Sequence, residues 1–153
     1  MEKELESVLD SLKSMEAEEG LRLGKVLNAL SLISSVLGEG SWVGIYILKG
    51  DKWLLGPFEG TPACEKIRLG KGVVGSCGDK KETITVSDVT SFPGYICCDA
   101  KAKSEICVPM FIGEEVKGIF DIDLPYIHEY SKEEVALFEA ISKELIRLDA
   151  LSL

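Results

Sequence analysis

Residues 104–123 read SEICVPMFIGEEVKGIFDID. Ser104 to Ile112 is one apolar strand, Gly113-Glu114 supplies a tight turn, and Val116 to Asp123 is its partner strand. Side chains two apart on a strand share a face. Asp121 and Asp123 therefore share one with Ile119, and Phe120 and Ile122 lie opposite. A hairpin turning at Gly113-Glu114 sets Glu105 level with about Asp121 to Asp123, so three acids converge on one spot. Burying unpaired carboxylates is costly. The spacing alone leaves two readings, a solvent face or strand end, or a cluster that attracts a cation such as an ammonium or holds a proton at raised pKa.

Working outward from that hairpin, residues 132–148 read as a helix, with Ser131 as N-cap and Glu134 three residues on in a capping box. Upstream, Thr83 to Val86 is a strand, and residues 87–103 form a long irregular segment with Pro93 and Gly94. A loop of that length inside a compact domain is usually functional. Gly70 to Gly78 is a turn or short helix, Cys64 to Leu69 a short strand, and the Gly- and Pro-bearing stretch 56–63 a loop. Trp42 to Leu48 and Lys52 to Leu55 make a hairpin around Gly50-Asp51. Leu5, Val8, Leu9, Leu12 and Met15, then Leu23, Val26, Leu27, Leu30, Ile33 and Leu37, keep helical spacing either side of Gly20. Helices at both ends of a mainly antiparallel sheet make an α+β fold. The expectation is one domain over 1–153, with a helical segment over 1–37, a sheet with its loops over 41–125 and a helix over 132–148.

With 153 residues and 46% apolar side chains, the chain has material for a proper core. It has no apolar run long enough to span a membrane. There are 17 Lys and Arg against 26 Asp and Glu, a formal net charge of −9, and no basic run. That excludes a phosphate-neutralising face, so neither nucleic acid nor an anionic membrane surface is an expected partner. The N-terminus, Met-Glu-Lys-Glu-Leu-Glu, has neither a basic nor an apolar signal region, so the expected compartment is the cytoplasm.

The five cysteines are Cys64, Cys77, Cys97, Cys98 and Cys107, an odd number suited to free, catalytic thiols rather than to a disulfide framework. There is no C-x-x-C, and the single histidine, His128, reads as a surface-loop residue, so no metal and no cofactor are expected. Cys107 sits mid-strand between Ile106 and Val108 and reads as a small core hydrophobe. Cys97 reads as structural, whereas spacing does not separate a functional role from a structural one for Cys64 and Cys77. A thiol in the exposed loop, as Cys97-Cys98-Asp99 provides, is the better nucleophile. Gly70-Lys71-Gly72-Val73-Val74-Gly75 matches G-x-G-x-x-G, but the next strand follows too soon for a dinucleotide unit. It reads instead as a turn needing positive φ, whose amides can form an anion-binding concavity. Trp42, Tyr46 and Trp53 read by periodicity as core.

Four blocks resemble the free methionine-(R)-sulfoxide reductases: Gly56-Pro57-Phe58-Glu59-Gly60 with Ala63-Cys64, Ile67 and Gly70-x-Gly72-Val73-x-Gly75; Asp88-Val89-x-x-Phe92-Pro93-Gly94-x-Ile96-x-Cys98-Asp99; Ser104-Glu105-Ile106-x-x-Pro109; and Gly118-x-x-Asp121-Ile122-Asp123-x-Pro125. The resemblance implies a GAF-like fold, a central antiparallel sheet with the N- and C-terminal helices packed on one face and substrate under loops on the other. It implies that Cys98 is the catalytic cysteine and Cys64 a resolving one. Glu105, Asp121 and Asp123 match the family's substrate-site acids, and Trp42, with Tyr46 on its strand face, lies at the substrate. Many members carry another cysteine where this chain has Val74, which leaves Cys77 as the alternative resolving thiol. The implied partners are free methionine-(R)-sulfoxide and thioredoxin or a similar dithiol, and the leading helix is available to serve a homodimer. The rival reading is a non-catalytic GAF module that senses a small ligand.

Overall fold

The computed structural model describes residues 1–153. In chain order the elements are α1 (Glu2–Ser14), α2 (Arg22–Leu37), β1 (Trp42–Lys49), β2 (Lys52–Glu59), β3 (Lys66–Arg68), α3 (Gly72–Lys80), β4 (Ile84–Val86), β5 (Ser104–Ile112), β6 (Glu115–Leu124) and α4 (Lys132–Arg147). The strands form one sheet in the order β3-β2-β1-β6-β5-β4, and every neighbouring pair is antiparallel.

Alternation along the strands divides the apolar side chains into two cores. Val43, Ile45, Ile47, Ile106, Val108, Met110, Phe120, Ile122 and Leu124 pack against α1, α2 and α4. Trp42, Tyr46, Trp53, Cys107, Val116 and Ile119 point the other way and meet Val73, Val74 and Cys77 of α3. The terminal helices thus lie on one face, and α3 with the long loops lies on the opposite one. The α+β architecture is the expected one.

Several local expectations change. The stretch 56–63 is not all loop, because β2 continues to Glu59. Gly56 and Pro57 fall where the β1–β2 register shifts between Gly44 and Tyr46, and a bulge tolerates a residue without an N–H. Gly70 to Gly78 resolves into the turn plus α3, with Gly72 at φ 64°. Helix α1 uses its apolar stripe within the chain: Leu5, Val8 and Leu12 are buried in the core that α4 shares, and Lys3, Glu6, Ser7 and Asp10 face outward. The capping box of α4 forms: Glu134 N–H donates to Ser131 Oγ at 3.0 Å, and Ser131 N–H donates to Glu134 Oε1 at 3.1 Å. His128 is half-buried rather than at the surface, its Nε2 lying 2.8 Å from Glu134 Oε2.

Candidate active site

The β5–β6 hairpin builds the floor of the site. Glu105 pairs with Asp123 and Cys107 with Asp121 across the two strands, while β1 sets Trp42 opposite Asp123 and Gly44 opposite Asp121. Glu105, Asp121 and Asp123 are 5%, 4% and 7% exposed, which removes the solvent-face reading. None of the chain's ion pairs involves any of them.

Three carboxyls buried together without a cation cannot all ionise. Burial, then the charges of Asp121 and Asp123, then a hydrogen bond to Asp121 in which Glu105 donates, hold the Glu105 carboxyl well above its usual range. Burial, then the charges of Asp121 and Asp99, raise Asp123 just as firmly, against a hydrogen bond from Glu105. Burial raises Asp121 too, but hydrogen bonds from Glu105 and Cys107 oppose the shift. Glu105 and Asp123 are thus the more strongly raised of the three, and Asp121 is the one supplied with two donors.

The walls come from both sides of the floor. Trp42, Tyr46, Ala63, Ile67, Tyr95, Ile96, Cys98 and Asp99 join the acids and Gly72, Val73 and Val74 around one small, closely lined pocket. Trp42 and Tyr46 are core residues and wall residues at once, 1% exposed each. Trp42 stacks on Phe58 at 5.4 Å between ring centres, over Gly44, where a Cβ would meet the indole at 2.5 Å. Trp42 Nε1 donates to the carbonyl of Thr61 at 2.9 Å, and Tyr46 Oη donates to the carbonyl of Cys64 at 3.0 Å. Both aromatics therefore anchor the segment that carries Cys64. At the other wall, α3 starts at Lys71 with no side-chain cap. The N–H groups of its first turn have no partner within the helix, and that end carries partial positive charge.

The thiols separate clearly. Cys64 and Cys98 form a disulfide with Cα atoms 5.1 Å apart, across 34 residues of sequence. Cys77 is buried under α3, its Sγ directed at the carbonyls of Glu82 and Cys107 at 3.4 and 3.5 Å, and does not meet Cys98. Cys97 is exposed and unpaired, so its expected structural role is not what the fold gives it. Cys107 is buried as expected, but it is no plain hydrophobe, because its Sγ lies 3.4 Å from Glu105 Oε2 and 3.4 Å from Asp121 Oδ1. Alternation puts Glu105 and Cys107 on one face, and the irregularity between Met110 and Phe111 brings Asp121 opposite Cys107, where an unbroken pairing from the turn would have set Ile106. The carboxyl and thiol atoms of Glu105, Cys107 and Asp121 lie within 4.8 Å of one another, with no histidine among them.

No family model matches the chain. The free methionine-R-sulfoxide reductase of Saccharomyces cerevisiae is 35% identical over 152 residues, covering 90% of this chain and 83% of that protein. The chain belongs to the free methionine-R-sulfoxide reductase family. A solved structure of the family's Staphylococcus aureus member, in complex with its substrate, superposes with a TM-score of 0.79 at 34% identity, covering 96% of this chain and 95% of that one. A structure described as a GAF domain superposes with a TM-score of 0.81 at 31% identity, covering 97% and 88%. The fold of this free methionine-R-sulfoxide reductase family member is therefore GAF-like. No helix of it is long and apolar enough to cross a membrane.

Proposed function

We propose that this chain reduces free methionine-R-sulfoxide to methionine, with Cys98 as the attacking thiol and Cys64 as the resolving one. The observation that carries this reading is the Cys64–Cys98 bond in the wall of a pocket floored by three buried carboxyls. The Cys98 thiolate attacks the sulfoxide sulfur. The sulfoxide oxygen takes up a proton from Glu105, methionine leaves, and the oxygen stays on Cys98 as a sulfenic acid. Cys64 then condenses with it, forming the disulfide and releasing water. A dithiol such as thioredoxin returns both thiols by exchange.

The other groups fall into supporting roles. Asp121 and Asp123 hold the substrate ammonium, the one cation the floor lacks. The unpartnered N–H groups at the start of α3 take its carboxylate. Trp42 and Tyr46 cover the side chain. Raised carboxyl pKa values at Glu105 and Asp123 lessen the negative charge that would oppose a thiolate at Cys98. Three thiols remain free, one of them exposed, which suits a reducing compartment such as the cytoplasm.

The test is single-turnover release of methionine from the reduced protein. Cys98→Ser should release none. Cys64→Ser should release one equivalent yet fail to cycle with thioredoxin. N-acetylated methionine sulfoxide should be a poor substrate. Cycling by Cys64→Ser at the wild-type rate, or equal turnover of the acetylated compound, would overturn the assignment. Binding of methionine sulfoxide with no methionine released would favour the sensor reading.

A further inference from the structure

Cys107 is 0% exposed at the middle of β5, and it does not line the pocket, so it touches no substrate. Its Sγ nevertheless reaches two of the three acids, at 3.4 Å from Glu105 Oε2 and 3.4 Å from Asp121 Oδ1. A thiol has one proton and satisfies one such contact at a time. Burial and the charges of Asp121 and Asp123 hold the Glu105 carboxyl well above its usual range, and its hydrogen bond to Asp121 favours the form in which Glu105 donates. Asp121 is the acceptor at the end of that bond, directly opposite Cys107 in the β5–β6 pairing. We propose that Cys107 is a positioning residue for the reduction: its S–H donates to Asp121 Oδ1, keeping Asp121 the ionised member of the cluster and leaving the mobile proton on Glu105. This rests on the cluster acting as ammonium holder and proton donor.

The surroundings leave Asp121 few other donors. Glu105 faces Cys107 along β5, Asp121 and Asp123 face it from β6, Tyr46 from β1 and Cys77 from α3, and Asp99 faces Asp121 from the loop. The neighbouring strand β4 sets Ile84 opposite Cys107. None of these groups is a cation. Tyr46 Oη donates to Cys64 and the Cys77 thiol is directed at backbone carbonyls. Tyr95 and Tyr130 also face the acids, but neither hydrogen-bonds to Asp121, and the Tyr130 hydroxyl lies 3.3 Å from Ser104 Oγ. Cys107 is the side chain within hydrogen-bond reach of Asp121, beside the Glu105 carboxyl. Burial, then the charges of Asp121 and Glu105, hold the Cys107 thiol well above its usual range, so it stays a donor. Its proton never leaves sulfur in the reaction.

The experiment is the pH profile of kcat/KM for free methionine-R-sulfoxide with dithiothreitol, measured beside the melting temperature. Cys107→Val removes the donor and keeps the shape. It should move the acid limb up by about half to one pH unit, so that kcat/KM on that limb falls roughly three- to tenfold. Cys107→Ser, whose hydroxyl also donates, should return the limb to its wild-type position even if the protein melts lower. An unmoved limb in Cys107→Val, or an equal displacement in Cys107→Ser, overturns the proposal, since a packing role changes melting and leaves the limb alone. Should Cys107→Val not fold, Cys107→Ala reads the same limb. Asp121→Asn separates this from the reading beneath it. A wild-type limb that survives Asp121→Asn means that the cluster itself was misassigned. A limb lost in Asp121→Asn but unmoved in Cys107→Val sinks only the role of the thiol.

Discussion

Glu134 and Glu105 are both shielded from solvent, at 6% and 5% exposure, but Glu134 sits shallowly at the start of α4 and Glu105 deep under the pocket, and their carboxyls shift in opposite directions. Burial pushes both up. At Glu134 the Ser131 backbone and the His128 ring donate enough to outweigh burial, and the carboxyl ends below its usual range. At Glu105 the next neighbours are Asp121 and Asp123, and they add to burial. One glutamate fastens a helix. The other is kept uncomfortable, and it is the one in the pocket. Removing charge should therefore weaken the protein on the helix side of the sheet and relieve it on the pocket side.

The sharpest way to break that contrast uses adjacent residues of β5. Ile106 faces the helices with 0% exposure, so Ile106→Ala should lose about 2–5 kcal/mol of stability. Per folded molecule, its turnover should stay near wild type. Glu105→Gln should do the reverse. Turnover should fall roughly 30- to 1000-fold through a lost charge-assisted contact, while the melting temperature holds or rises. Chemical denaturation beside steady-state reduction of free methionine-R-sulfoxide measures both. A Glu105→Gln protein that turns over normally would end the contrast.

The sign of pH dependence sharpens it further. Glu105, Asp121 and Asp123 have raised native pKa values. The stability they contribute is fully present below the unfolded carboxylate range and is lost as pH rises through the raised values. Glu134 is lowered, so its contribution is present above its unfolded pKa and lost as pH falls through the native one. Glu105→Gln should flatten the loss of melting temperature at rising pH. Glu134→Gln should flatten the loss at falling pH and cost on the order of 1 kcal/mol at neutral pH through the broken capping box. Its turnover should be unaltered. The same slope in both variants would mean that partners do not decide the two shifts.

The two-faced sheet was legible in the alternation of β5 and β6, but the turn alone does not fix their register, which shifts at an irregularity between Met110 and Phe111. The acid trio was legible only in part: alternation puts Asp121 and Asp123 on one face, but Glu105 joins them through that irregularity, since an unbroken pairing from the turn would set Glu105 opposite Ile122. What spacing could not decide was burial, since the cover over Asp121 and Asp123 comes from α3 and the 87–103 loop, remote in sequence and irregular. The pairing of Cys64 with Cys98 was implied by family resemblance, not by spacing. Cys107 lies in the core as its spacing predicted; what its apolar chain neighbours Ile106 and Val108 did not show, because on a strand they face away, is that Glu105 and Asp121 lie beside its thiol. The extension of β2 through Pro57 was masked because Gly and Pro signal a loop wherever a bulge does not accommodate them. Cys97 had no signal to show that the loop turns it outward.

The smallest effect belongs to the joint between pocket and resolving thiol. Tyr46 lies within the wall as a ring and reaches out of it with one hydroxyl, donated to the carbonyl of Cys64. Tyr46→Phe keeps the ring and its stacking on Trp42, at 6.1 Å between centres, and removes that single bond. A neutral hydrogen bond contributes a net of about 0.5–1.5 kcal/mol, roughly 2- to 12-fold in a rate that depends on it. Methionine release in the first turnover uses Cys98 and the acids, so it should change by less than about twofold. Disulfide formation needs Cys64 held beside Cys98, so it should slow by about the larger factor, and the sulfenic acid on Cys98 should accumulate long enough to be trapped by dimedone. Quenched-flow methionine release and the yield of trapped adduct separate the two steps. Equal slowing of both would mean that the hydroxyl serves the pocket. No slowing of either would mean that Trp42, through its own bond to Thr61, holds the segment alone.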